Sequence, residues 1–223
     1  GNVNAINYLG DVIRVAPNGY LASTPNGQLK RSWNIGKEPS KAPDVDFIRQ
    51  IIQYLKLHAN VDANRITIVG SSNGGALLNR LMIELESNTF HQGVGLVSNM
   101  ITNMFDGVNF RYDPSGNVQY NQSITPTTGR RMLTICGEND TTVPYNGGTG
   151  VWQNQFISAQ TNTFIWARHM GYEGNQLLDT QGVPYSAYND LIEYSYLDGD
   201  ISHYKHLNKG HNAGQGPWVQ EVI

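Results

Sequence analysis

At 223 residues the chain is long enough to bury the core of one α/β domain and too short for two ordinary domains with a linker, so residues 1–223 are read as one domain. Charged residues make up only 15 % of it, and the net charge of −3 is spread without a basic block or a run of like sign, which argues against a nucleic-acid partner. No apolar stretch reaches the length of a membrane span, and the lone cysteine, Cys136, has no intrachain disulfide partner.

Residues 1–10 read as a loop with a short helical turn (Val3, Ile6, Leu9). Residues 11–16 predict a strand, stopped by Pro17, Asn18 and Gly19. Residues 21–41 carry Gly, Pro, Ser and Asn without periodicity and are expected to form a surface loop. Trp33 within it must either fold onto the core or line a pocket. Pro43, Asp44 and Asp46 suit the positive end of a helix whose buried stripe is Ile48, Ile51, Ile52 and Leu55. After a turn at 60–64, the β-branched run from Ile66 to Val69 predicts a buried parallel strand, and Leu77, Leu78, Leu81, Met82 and Leu85 recur at helical spacing directly beyond it. Residues 93–97 and 132–136 are further short strands. Residues 101–128 form an irregular excursion, expected over the top of the sheet. A helix is expected over 152–170, with Trp152, Phe156, Ala159 and Thr163 or Phe164 on one side. Residues 191–197 and 201–207 are strands that either pair across the turn at 198–200 or place the second one in the sheet by itself. Strands separated by helices predict a mostly parallel sheet covered by helices on both faces, with ligands at the strand C-termini.

The most informative stretch is GSSNGG at 70–75. It fits G-x-S-x-G and lies between a predicted strand and a predicted helix, the context in which that motif lifts a nucleophile above the sheet. Ser72 is therefore the candidate nucleophile, and Asn73 the candidate backbone oxyanion donor. Gly70 and Gly74 are expected to let helix and strand approach. A phosphate-binding or merely structural glycine turn would read the same without that context. A serine hydroxyl needs a base, and the base needs an orienting acid. His58 and His169 lie near helix ends, His91 in a turn, and His203 and His206 in or near the last strand. His211 sits in a Gly-flanked loop after that strand, from which an imidazole can reach Ser72. For the acid, Asp140 follows the 132–136 strand; Glu138 is its near rival, while Asp198 and Asp200 sit on a hairpin tip. The order Ser72, Asp140, His211 is the nucleophile–acid–base order of α/β-hydrolases.

At this point the chain resembles the α/β-hydrolase superfamily, and within it the polyhydroxybutyrate-depolymerase and feruloyl-esterase group. The resemblance rests on SWN at 32–34, DVDFI at 44–48, VDANR at 61–65, GSSNGG at 70–75, DTTVPYNGG at 140–148 and GH at 210–211. It covers most of residues 11–211, with 101–128 the least matched. It implies an α/β-hydrolase fold with Ser72, Asp140 and His211 as nucleophile, acid and base, and no metal or organic cofactor. The substrates it implies are feruloyl, acetyl, hydroxyalkanoate or other short-chain esters, with Trp33 and Tyr145 as candidates for lining the pocket. It also points to an exported, secreted or periplasmic protein. Such enzymes carry an earlier strand ending in a His-Gly loop that supplies a second oxyanion N–H. That pair is absent from the sequence, so the chain is expected to be truncated before Gly1. The same absence motivates an alternative: a catalytically silent binding module for polysaccharide or polyester, against which stand the three filled triad positions.

Overall fold

Short β-branched and apolar runs between glycine-rich turns build the centre of this protein. In the computed structural model, which describes residues 12–115, 117–185, 188–216 and 219, a hairpin of β1 (Tyr20–Ser23) and β2 (Leu29–Ser32) comes first. Helix α1 (Asp44–Leu55), strand β3 (Thr67–Ser71), helix α2 (Asn73–Glu84) and strand β4 (Gln92–Leu96) follow. A second hairpin, β5 (Phe110–Tyr112) with β6 (Gln122–Ile124), precedes β7 (Arg131–Gly137). Then come the short pair β8 (Gly148–Thr149) and β9 (Gln155–Phe156), helix α3 (Ala159–His169), and strands β10 (Val183–Tyr185), β11 (Tyr188–Tyr196) and β12 (Ile201–His206).

Six strands form the main sheet in the order β10-β11-β12-β7-β4-β3. The four from β12 to β3 run parallel, while β11 and β10 extend the sheet as antiparallel neighbours. Both readings of the last two strands therefore hold: β12 pairs with β11 across the 197–199 turn and is also the parallel neighbour of β7. Alternation along the strands separates the faces. Gly93 of β4 lies under α2, where a Cβ would meet Leu78 at 3.0 Å. On β7, Thr134 bonds Thr163 of α3 at 2.7 Å, while Leu133 and Ile135 pack with Val94 and Leu96 on the opposite face. Helices α2 and α3 thus share one face, joined by the Trp166 indole N–H donating to Asn79 at 3.1 Å, and α1 adds Val45, Ile48 and Ile52 to the same core. Among the described residues, Gly214 and Val219 cover the other face against Leu96 and its neighbours.

Four expectations are corrected. Residues 12–16 form no strand, and residues 1–11 lie outside the described residues. The 21–41 stretch is not a plain loop: Gly27 at φ 79° and the Thr24–Gln28 backbone bond of 2.7 Å close the β1–β2 hairpin, and Asn34, Ile35 and Ser40 beyond it are buried. The helix expected from 152 begins only at Ala159. Residues 155–156 pair with 148–149 instead, and the Ser158 hydroxyl caps the helix by accepting the Thr161 N–H at 3.3 Å. The 101–128 excursion packs on the helical layer rather than over the sheet top, with Phe110 against Trp166 at 4.6 Å between ring centroids.

One buried group sets an acid limit on this core. His203 of β12 is fully enclosed, with Nδ1 2.9 Å from the Thr134 hydroxyl, Nε2 3.0 Å from the Tyr145 hydroxyl, and the Tyr194 ring stacked on it. Burial, aided by the charge of Lys205, pushes its imidazole from 6.5 down to about 3. Between these values the unfolded chain binds a proton that the folded chain does not. Stability therefore falls as the pH drops from about 6.5 toward 3, by up to about 1.4 kcal/mol per pH unit. Urea midpoints of His203→Gln are expected to fall less steeply than those of the wild type between pH 7 and 4.5. Equal slopes would refute the assignment.

Candidate active site

The turn from β3 into α2 is tight because its glycines leave no room for side chains. A Cβ on Gly70 would lie 2.2 Å from the Gly74 carbonyl oxygen, and one on Gly75 would lie 2.6 Å from the Ser98 Cβ. Gly74, expected to share this duty with Gly70, does not: its Cβ would meet only the Trp33 indole, at an ordinary 3.6 Å. The pair that permits close approach is thus Gly70 and Gly75. Gly70→Ala is expected to destabilise the fold by about 1–3 kcal/mol and to displace the turn, because backbone opposes the new methyl. Gly74→Ala is expected to stay within about 1 kcal/mol of the wild type. Thermal melts of the two variants side by side check the distinction, and equal losses would contradict it.

Ser72 occupies the point of the turn at φ 53°, ψ −120°, a conformation that costs a non-glycine residue on the order of 1–3 kcal/mol. Its N–H donates to Leu96 O at 2.9 Å, and its carbonyl accepts from Gly75 and Ala76 at 2.9 and 3.0 Å. These bonds hold the side chain clear of the sheet. Asn73 is the first residue of α2, so its N–H has no intrahelical acceptor and remains available beside Ser72.

The other two candidates arrive from the C-terminal ends of neighbouring strands. Asp140 follows β7 with its side chain fully buried. Its Oδ1 accepts the N–H groups of Thr142 and Val143 at 2.9 and 3.0 Å, and its Oδ2 accepts the His211 Nδ1–H at 2.8 Å. That bond places the imidazole proton on Nδ1 and leaves the Nε2 lone pair facing the Ser72 hydroxyl, 2.7 Å away. The His211 loop is laid against the end of β7: Asn139 N–H donates to Lys209 O at 2.8 Å, and a Cβ on Gly137 would lie 2.3 Å from Gly210 O. Glu138, the near rival for the acid, turns away. Its carboxylate meets Lys205 Nζ at 3.3 Å and the Asn208 N–H at 3.2 Å.

The two candidate pocket residues lie in different surroundings. The Trp33 indole lies against Gly74 in the first turn of α2. Tyr145 is 5 % exposed, packs with Cys136 and Ala159, directs its hydroxyl to His203 and Gln160, and edges a cavity with Ser158, Gln160 and Lys205. Sequence reasoning missed the polar scaffold under Trp33. Asp44, read only as a helix-end charge, is buried and accepts the Asn34 N–H at 2.6 Å; burial pushes its carboxyl above the usual range against the pull of that bond and of Arg80. Glu38, hidden in a polar stretch, is buried as well. Neither carried a signal, because the partners that allow a carboxylate to be buried are distant in the chain. Among the described residues, no three His, Cys, Asp or Glu side chains converge to hold a metal ion.

Comparison with known proteins gives the family. The sequence profile of the prolyl oligopeptidase family matches residues 29–176, well over half of the chain and a span that contains Ser72 and Asp140. The chain belongs to that family and has its α/β-hydrolase fold. It is also similar to feruloyl esterase B of Piromyces equi, with 27 % identity over 160 residues. That match covers 70 % of this chain and 27 % of the relative, so the chain spans about a quarter of that curated relative's length.

Proposed function

We propose that this member of the prolyl oligopeptidase family is a serine carboxylic-ester hydrolase, acting through an acyl-enzyme on feruloyl, acetyl, hydroxyalkanoate or other short-chain esters. The observation that carries the proposal is the hydrogen-bonded line from Asp140 through His211 to Ser72, at 2.8 and 2.7 Å. Ser72 Oγ attacks the ester carbonyl carbon while His211 Nε2 takes its proton, and buried Asp140 stabilises the imidazolium. The carbonyl oxygen, now an oxyanion, accepts from the Asn73 N–H. Collapse of the tetrahedral adduct breaks the bond to the alcohol, which leaves with the proton held by His211. Water then repeats the sequence on the acyl-enzyme and frees the acid.

The same three groups can cleave a peptide bond, and the family includes peptidases. Likeness to a feruloyl esterase favours esters. A catalytically silent module has the arrangement against it, since a binding surface has no use for a histidine poised on a serine. Fluorophosphonate labelling with peptide mapping, followed by rates on p-nitrophenyl acetate, methyl ferulate and Gly-Pro p-nitroanilide, tests the reading. Labelling of Ser72 with turnover of the esters is the expected result. Turnover of the anilide alone would make the chain a peptidase, and no labelling would support the silent module.

A further inference from the structure

The residue proposed to donate the oxyanion N–H also carries a side chain that the mechanism leaves unused. Asn73 Oδ1 accepts the Trp33 N–H at 2.6 Å, and Asn73 Nδ2 donates to the Trp33 carbonyl at 3.1 Å. One planar amide thus pairs with both backbone groups of a residue 40 positions away, which fixes orientation as well as place. The chain beyond Trp33 is pinned in the same manner. Glu38 Oε2 accepts the N–H groups of Ile35 and Gly36 at 3.2 and 2.8 Å, while its Oε1 faces Asn73 Nδ2 at 3.5 Å. Asn34 is held from both sides, its N–H by Asp44 at 2.6 Å and its carbonyl by Arg80 at 2.5 Å. A large, half-buried indole is therefore seated rigidly on the turn that presents Ser72.

We infer that the Asn73 side chain is a positioning residue that clamps Trp33 as a fixed wall of the cleft beside Ser72, and so sets how bulky an acyl group the site accepts. This rests on the ester-hydrolase reading above. The amide is suited to the task because it serves two functions from one residue. Its backbone marks the oxyanion position and its side chain places the wall relative to it, so neither can drift without the other. A wall displaced by about 1 Å misaligns a bulky acyl group, whereas an acetyl group has no contact to lose.

The test uses Asn73→Ala, Glu38→Gln and Trp33→Phe in the full chain, with p-nitrophenyl acetate and p-nitrophenyl ferulate as substrates sharing one leaving group. For Asn73→Ala the ratio of kcat/KM for the ferulate to that for the acetate is expected to shift about tenfold, mainly through KM of the ferulate. Trp33→Phe is expected to shift the ratio in the same direction, and Glu38→Gln to do so by less. Acrylamide quenching of the Trp33 emission, taken as the difference from Trp33→Phe, is expected to rise when Asn73 is changed. Unchanged ratios and unchanged quenching, with only a lower Tm, would reduce the amide to a structural tie and overturn the inference. Should Asn73→Ala not fold, the ratios of Glu38→Gln and Trp33→Phe decide. Should the wild type hydrolyse neither ester, the ester reading fails by itself, and the quenching still decides whether Asn73 holds Trp33.

Discussion

Ser72→Ala is expected to lower kcat for any ester the protein hydrolyses by roughly 10⁶-fold, leaving only the rate that binding and the oxyanion donor supply. Removing Oγ deletes the attacking atom and leaves His211 Nε2 facing an empty position. The fold should barely register the change. The strained dihedrals at Ser72 are imposed by the backbone bonds to Leu96, Gly75 and Ala76, which an alanine keeps. Thermal midpoints of wild type and variant are therefore expected to agree within a few degrees. Residual activity of a few per cent, after contamination is excluded by titrating labelled sites, would show that the reaction uses another nucleophile.

Asp140→Asn is expected to cost about 10⁴-fold in kcat, and the reason lies in the second oxygen of the carboxylate. Asp140 Oδ1 is held by the N–H groups of Thr142 and Val143, so an asparagine there must keep its carbonyl on those two donors. Its NH₂ group then points at His211 Nδ1, which can only accept. The imidazole proton is forced onto Nε2, where it faces the Ser72 hydroxyl and cannot receive its proton. Glu138→Gln, by contrast, alters a carboxylate bonded to Lys205 and Asn208 and is expected to stay within about tenfold of the wild type. Rates of the two variants on one ester, with imidazole protonation followed by NMR, separate the candidates. A larger loss from Glu138→Gln would reverse the assignment.

The turn at Ser72 was legible because its chemistry is local. Strand, glycine turn and helix lie within one short stretch, and the dihedrals they require restrict which residues fit. Asp140 and His211 were legible as residues following strands, since the C-terminal ends of parallel strands meet at one edge of the sheet. What local pattern could not decide was the choice between Glu138 and Asp140. The two lie in the same turn, and only the path of the 207–211 chain determines which of them meets the imidazole. Tyr145 was not legible in its surroundings either. It stands in the segment that follows Asp140, yet the packing of α3 and β12 turns its ring inward to His203.

The amino-acid sequence by itself determined the secondary elements around the site and the order in which Ser72, Asp140 and His211, the proposed nucleophile, acid and base, occur. Each of these depends on contacts within a few residues, or on a periodicity that burial of one face imposes. Only the tertiary structure decided that a hairpin precedes α1, that α3 starts after Ser158, and that Gly75 rather than Gly74 allows the tight turn. It alone decided that the Asn73 amide grips Trp33. The hairpin and the start of α3 rest on pairs only a few residues apart, in polar stretches without periodicity. The Gly75 and Asn73 contacts instead join groups far apart in the chain. Their closing entropy is offset by many simultaneous contacts, so no single stretch of residues carries the information.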